Sequence, residues 1–185
     1  MRSRSPFHRL AAVNSLSGDA GAKLSSGVAA SSSHNDAASL HANAIALGET
    51  GVLIRGGSGA GKSSLAATLI AAVRQAGRFA ALIGDDRIRL SLQNGRLVAR
   101  GHPAIRGMIE LRGQGIVPMP HEPAAIVRLV VDLLPEADIA RYPDDNDREI
   151  ALCGAKVSRL ALPKGRSSSD CAVLVMMYLQ HAGIF

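Results

Sequence analysis

The feature that most constrains this chain is Gly56-x-x-x-x-Gly61-Lys62-Ser63, which reads GGSGAGKS. The apolar run Val52–Leu53–Ile54 precedes it, and a helical pattern opens from it with Leu65, Leu69, Val73 and Ala76 along one side. Strand, glycine loop and helix in that order form a cradle for phosphate. The glycines let successive backbone N–H groups turn inward where a Cβ would collide, and the helix N-terminus adds partial positive charge at the same place. Gly56, Gly57, Ser58, Gly59, Ala60, Gly61, Lys62 and Ser63 are therefore the expected binding segment for ATP or for pyrophosphate. Lys62 can reach the terminal phosphates, and the Ser63 hydroxyl can ligate Mg²⁺.

The pattern around the cradle predicts an α/β fold: a P-loop kinase-like sheet with a hairpin-rich half and a C-terminal helix. Strands are expected over Leu40–Leu47 and Gly51–Arg55, then a helix over Lys62–Ala76 closed by Gly77. RFAALIGDD reads as a strand beside the cradle strand, ending in Asp85 and Asp86. Asn94–Gly95 between alternating runs signals a hairpin. PAIRGMIELRGQGIV reads as a short helix or turn running into a glycine-punctuated loop, and AAIVRLVVDLL as the next strand. IALCGAKVSRLALP suggests a second hairpin, and SSSDCAVLVMMYLQHAG a final helix capped by Ser or Asp.

Composition narrows the class. With 185 residues, 47% of them apolar, the chain suits one domain, placed at 39–185. No apolar run reaches the length of a membrane span. The net charge of +6 comes mostly from scattered arginines, and aromatics are only 3% of residues, which argues against a nucleic-acid surface. Residues 1–38 are rich in Ser and Ala and are expected to be a disordered tail, or the product of a start placed too far upstream. Cys153 and Cys171 form no disulfide framework; each reads as a buried thiol in a reducing cytoplasm.

Transfer needs more than a cradle. Two adjacent carboxylates at a strand end can divide labour, one serving Mg²⁺ and its neighbour accepting a hydroxyl proton. Glu110 and Arg112, before a Gly-Gln-Gly turn, could supply a second metal ligand and a phosphate clamp, although a solvated Glu–Arg pair is the ordinary reading. His41 stands in an apolar strand, where a packed histidine is the ordinary reading.

Taken in order, LHANAIALGETGVLIRGGSGAGKSSLAATLI, IGDDRIRL and GMIELRGQGIV resemble the C-terminal catalytic domain of the HPr kinase/phosphorylase family, from about Ser39 to Leu134. That family phosphorylates a seryl hydroxyl of HPr, the phosphocarrier of a sugar phosphotransferase system, and removes the phosphate with inorganic phosphate. The resemblance implies Lys62 and the loop as phosphate binders, and Ser63 and Glu110 as Mg²⁺ ligands with Asp85 in support. It implies Asp86 as proton acceptor and donor, His41 as the active-site histidine, and Arg141 as an active-site arginine, with Arg166 matching a Pro-Gly-Arg segment. It further implies a cytoplasmic hexamer with an HPr-like carrier as partner.

The chain departs from the family in having a tail where many members have a domain, as in the short α-proteobacterial form. Its link from helix to Asp pair is longer, and VPMPHEPAA replaces a glycine-bearing segment. Two other readings are a P-loop kinase for a small metabolite and a non-catalytic nucleotide-binding regulator.

Overall fold

The computed structural model describes residues 39–185, so the expectation for 1–38 lies outside the described residues. The first strands are β1 (Ser39–Leu40), β2 (Ala42–Leu47) and β3 (Thr50–Gly56), followed by helix α1 (Lys62–Gln75). Next come β4 (Ala80–Gly84), β5 (Ile88–Gln93), β6 (Arg96–Gly101), β7 (Met108–Leu111), β8 (Gly115–Pro118) and β9 (Ala125–Leu134). The chain closes with β10 (Glu149–Leu152), β11 (Ala155–Pro163) and helix α2 (Ser168–His181). No helix among the described residues is long and apolar enough to cross a membrane.

A nine-stranded sheet carries the fold, with neighbours in the order β1-β5-β6-β9-β3-β2-β4. The long β9 is shared along one edge. Its start pairs antiparallel with β6, and the rest pairs in parallel with β11 from Ser158↔Leu129 to Pro163↔Leu134. Two apolar cores lie on either side of the central strands. Leu65, Leu69 and Val73 of α1 pack on Ile45, Ile54 and Val131, with Val175 and Leu179 of α2 beside them. Leu53 and Val130 turn the other way, toward Ile88, Leu97 and Val157. Covered on both faces, β2 is buried from end to end, which explains why all its residues but Asn43 are small or apolar.

Local signals behave as the residues require. Asn94 (φ 49°) and Gly95 (φ 73°) are both left-handed, as a two-residue hairpin turn between twisted strands demands. The α1 C-terminus closes with Arg78 N–H donating to Val73 O and Gly77 N–H to Arg74 O. Ser167 caps α2 by accepting from Asp170 N–H. Gly101 has a different reason: a Cβ there would strike the Ile83 carbonyl, where the β5–β6 hairpin folds over β4.

Three expectations are corrected. The strand ending in the Asp pair is not beside the cradle strand, because the tight β2–β3 hairpin places β2 between them and β4 adds to its far edge. The glycine-punctuated loop is a hairpin, β7–β8, since Ile109 is buried while its neighbours Met108 and Glu110 face outward. Cys153 is exposed, at φ 50° in the turn between β10 and β11, whereas Cys171 is buried and burial pushes its thiol above the usual range.

Candidate active site

The cradle forms where β3 ends. Gly56, Gly59 and Gly61 take φ of 151°, 75° and 99°, a region that L side chains rarely enter, so the loop needs glycine at these turns. Gly61 offers no side-chain cap to α1, and the first helical turn holds no acid. The helix N-terminus thus presents free N–H donors and partial positive charge, which fits a bound phosphate. Lys62 is only 5% exposed, its ammonium 3.3 Å from the carbonyls of Gly56 and Gly57.

Lys62 also meets His41. Lys62 Nζ lies 2.9 Å from His41 Nε2, and His41 Nδ1 lies 3.6 Å from Asp86 Oδ1. Lysine, histidine and aspartate thus form a row at the mouth of a cleft of about 230 Å³, with Ser63, Glu110 and Arg112 around it. Asp86 holds φ 59°, a strained conformation that costs a non-glycine residue roughly 1 kcal/mol and turns its side chain to the cleft. Arg112 approaches from β7–β8: a Cβ added at Gly59 would lie 3.7 Å from its guanidinium.

Asp85 points elsewhere. It is 4% exposed and does not line the cleft. Its Oδ1 accepts from Ser63 Oγ at 3.0 Å and from the Asn43 amide, and its Oδ2 accepts from Glu110 N–H at 2.9 Å. Asp85 therefore ties the cradle helix, β2 and the Glu110 strand together. Asn43, 0% exposed, also donates to Ser63 Oγ at 3.2 Å. Its Oδ1 is buried without a partner among the described residues, a loss of about 1–3 kcal/mol.

Among the described residues, no three His, Cys, Asp or Glu side chains converge on a metal position. The groups bordering the cleft that could face a cation are the hydroxyls of Ser58, Ser63 and Ser64, the carboxylates of Asp86 and Glu110, and the His41 ring, whose nitrogens face Lys62 and Asp86. Two carboxylates among hydroxyls suit Mg²⁺, which keeps several waters and is bound by one or two carboxylates together with substrate phosphates.

On its other side the loop borders a second cavity of about 500 Å³, formed by Gly56–Ala60 with Leu133, Leu134, Pro135, Lys164 and Gly165. It lies at the C-terminal ends of β9 and β11, the position where open α/β sheets take ligands. Arg141 and Arg166 border neither cavity. Arg141 lies in the connection after β9 with its guanidinium 5.8 Å from the Tyr142 ring, and Arg166 lies in the turn before α2.

Sequence reasoning missed Asn43, although a lone amide within the otherwise apolar ANAIAL was a visible signal. It also missed an ion triad beneath the loop. Arg55 meets both Asp132 oxygens at 2.7 Å, and Arg159 Nε meets Oδ2 at 2.7 Å. Burial alone would raise the Asp132 carboxyl, but hydrogen bonds from and the charges of the two guanidinium groups outweigh it and hold the carboxyl below its ordinary value. The triad joins β3, β9 and β11 immediately before the cradle.

Strand, glycine loop, uncapped helix and acid-lined cleft together define the P-loop class of phosphate-binding folds. Residues 33–179 match the family described as HPr Serine kinase C-terminal domain, and the chain belongs to that family. An HPr kinase/phosphorylase of Mycoplasma mycoides subsp. mycoides is 33% identical over 145 residues, covering 69% of this chain and 43% of the relative. One from Neisseria meningitidis is 39% identical over 98 residues, covering 49% of this chain and 28% of the relative. The chain thus spans less than half the length of these curated relatives. The solved structure of the Hpr(Ser) kinase/phosphatase from Coxiella burnetii superposes with a TM-score of 0.65 at 25% identity, covering 79% of this chain and 99% of that one.

Proposed function

We propose that this chain is a nucleotide- and Mg²⁺-dependent protein serine kinase acting on an HPr-like phosphocarrier, with the reverse, phosphate-consuming reaction in the same cleft. The observation that carries this reading is the row Lys62–His41–Asp86 beside the glycine loop. In the forward direction the seryl oxygen bonds to the γ-phosphorus of the donor, the bond from that phosphorus to the β,γ-bridging oxygen breaks, and the seryl proton passes to the Asp86 carboxylate. In reverse, an oxygen of inorganic phosphate attacks the phosphoserine, the seryl oxygen leaves with the proton from Asp86, and pyrophosphate forms.

Lys62 balances charge on the transferred group, and its removal from the Gly56 and Gly57 carbonyls frees its N–H donors for phosphate. His41 orients the Asp86 carboxylate. Ser63 and Glu110 would hold Mg²⁺, with Asp85 acting through Ser63; the ion when bound neutralises charge on the phosphate oxygens. The second cavity supports a nucleoside triphosphate rather than bare pyrophosphate as the kinase donor, because it offers apolar walls beside the same loop. A protein acceptor is supported by access: the side chains of His41 and Asp86 are 53% and 46% exposed, open to a protruding seryl segment. Val173 and Met177, exposed one turn apart on α2, support a homo-oligomer.

The test is to mix the chain, Mg·ATP and a phosphocarrier from the same source and read the acceptor's mass. A phosphoryl gain on a serine is expected. ATP consumption with small metabolites but none with the carrier would overturn the reading.

A further inference from the structure

Asn43 has no task in the transfer just described, yet it stands at its centre. It is fully buried in β2, where every neighbour in the strand is apolar. Its amide nitrogen donates to two partners, Asp85 Oδ1 and Ser63 Oγ, the latter at 3.2 Å. The Ser63 hydroxyl gives its own proton to Asp85 Oδ1 at 3.0 Å. A serine hydroxyl has one proton and two lone pairs. With the proton held by Asp85 and one lone pair taken by Asn43, a single lone pair remains, on a residue that lines the cleft.

We infer that Asn43 is a positioning residue for the divalent cation, locking the rotor of Ser63 so that one lone pair faces the cleft. The inference rests on the phosphoryl-transfer reading for the presence of that cation. The network extends further, since Asp85 Oδ2 accepts the backbone N–H of Glu110, whose side chain lines the same cleft. One amide therefore sets the hydroxyl directly and, through Asp85, the strand that carries the carboxylate. The unpartnered Oδ1 points the same way. An apolar side chain in its place would bury no orphan acceptor, so the amide is kept for its N–H groups. Its location follows from the topology: β2 lies between the cradle strand and the strand leading to Asp85, and a side chain from β2 must span that gap.

The test uses the full chain with Mn²⁺ as spectroscopic probe, titrated by electron paramagnetic resonance in the presence of a non-transferable ATP analogue. Partners of metal ligands typically contribute 10–100-fold to affinity, so Asn43→Ala is expected to weaken Mn²⁺ binding by roughly that factor. Affinity for the metal-free nucleotide and KM for the acceptor are expected to stay near the parent's while KM for Mg²⁺ rises. Asn43→Ser, which keeps one donor, is expected to recover part of the loss. Parent-like Mn²⁺ affinity in Asn43→Ala would overturn the inference, as would an equal loss for metal-free nucleotide, the mark of a merely structural role. Should Asn43→Ala fail to fold, Asn43→Leu, which fills the strand without donors, decides by the same comparison. A parent chain that binds Mn²⁺ and nucleotide but phosphorylates no carrier defeats the proposed function and leaves this inference standing. One that binds no Mn²⁺ defeats both.

Discussion

Beneath the cleft, behind its lining, Asp85 is 4% exposed and accepts hydrogen bonds from Ser63, Asn43 and Glu110. At the rim Asp86, the next residue, leaves its side chain 46% exposed, with His41 3.6 Å from its carboxylate. Two identical side chains one peptide apart thus face opposite demands. The inner one is consumed by structure, and the outer one is free for chemistry. Asp86 takes this place at φ 59°, in the turn just beyond the end of β4.

Substitution of the exposed aspartate is expected to cost the most activity. Asp86→Asn should lower kcat for serine phosphorylation roughly 10²–10⁴-fold, while calorimetry shows nucleotide affinity near the parent's. Comparable kcat in both proteins would remove Asp86 from the chemistry.

Beneath the cleft the effect falls on stability instead. Asp85→Ala leaves the Ser63 hydroxyl and the Glu110 N–H without their acceptor and removes one of the two Asn43 bonds. A loss of about 3 kcal/mol is expected in urea denaturation, at about 1–3 kcal/mol per orphaned group. A loss under about 0.5 kcal/mol, within the range of ordinary surface substitutions, would show that the layer beneath the cleft is not held by this carboxylate.

A third contrast lies one layer down, at Asp132, whose folded-state carboxyl is held below the ordinary value of 3.8. Between those two values the unfolded chain binds more protons than the folded one, so stability rises with pH there. Its contribution is complete above the ordinary value and disappears as pH falls through the folded one. Comparing acid unfolding of the parent with Asp132→Asn should show a shallower acid limb in the variant. Superimposable limbs would mean that the Arg55–Asp132–Arg159 triad contributes nothing in this window.

The backbone of Asp86 carries the mildest change. Asp86→Gly relieves the left-handed backbone and is expected to raise stability by about 0.5 kcal/mol while transfer is lost. A fall of about 1 kcal/mol or more, the typical size of a destabilising substitution, would place Asp86 among the structural acids.

Much of the site could be read from the chain because its signals are local. The glycine loop and the helix that follows depend on residues only a few positions apart, as does the Asn94–Gly95 turn. Burial at Asp85 and exposure at Cys153 could not be read that way. Burial at Asp85 depends on distant parts of the chain, Glu110 coming 25 residues after it and Asn43 preceding it by 42, whereas exposure at Cys153 turns on the register of the β10–β11 hairpin. The β7–β8 hairpin was hidden by its own glycines, which resemble loop punctuation until the buried Ile109 shows which face turns inward.

The amino-acid sequence by itself determined the phosphate loop, the acidic strand end and the α/β class, since backbone conformation at glycine and the periodicity of apolar residues act over one or two turns. Only the tertiary structure decided which aspartate faces the cleft and that Asn43 stands between Ser63 and Asp85. Those choices follow from β2 lying between β3 and β4: the hairpin sets β2 beside β3, but only the packed sheet brings β4, from beyond α1, onto the far edge of β2.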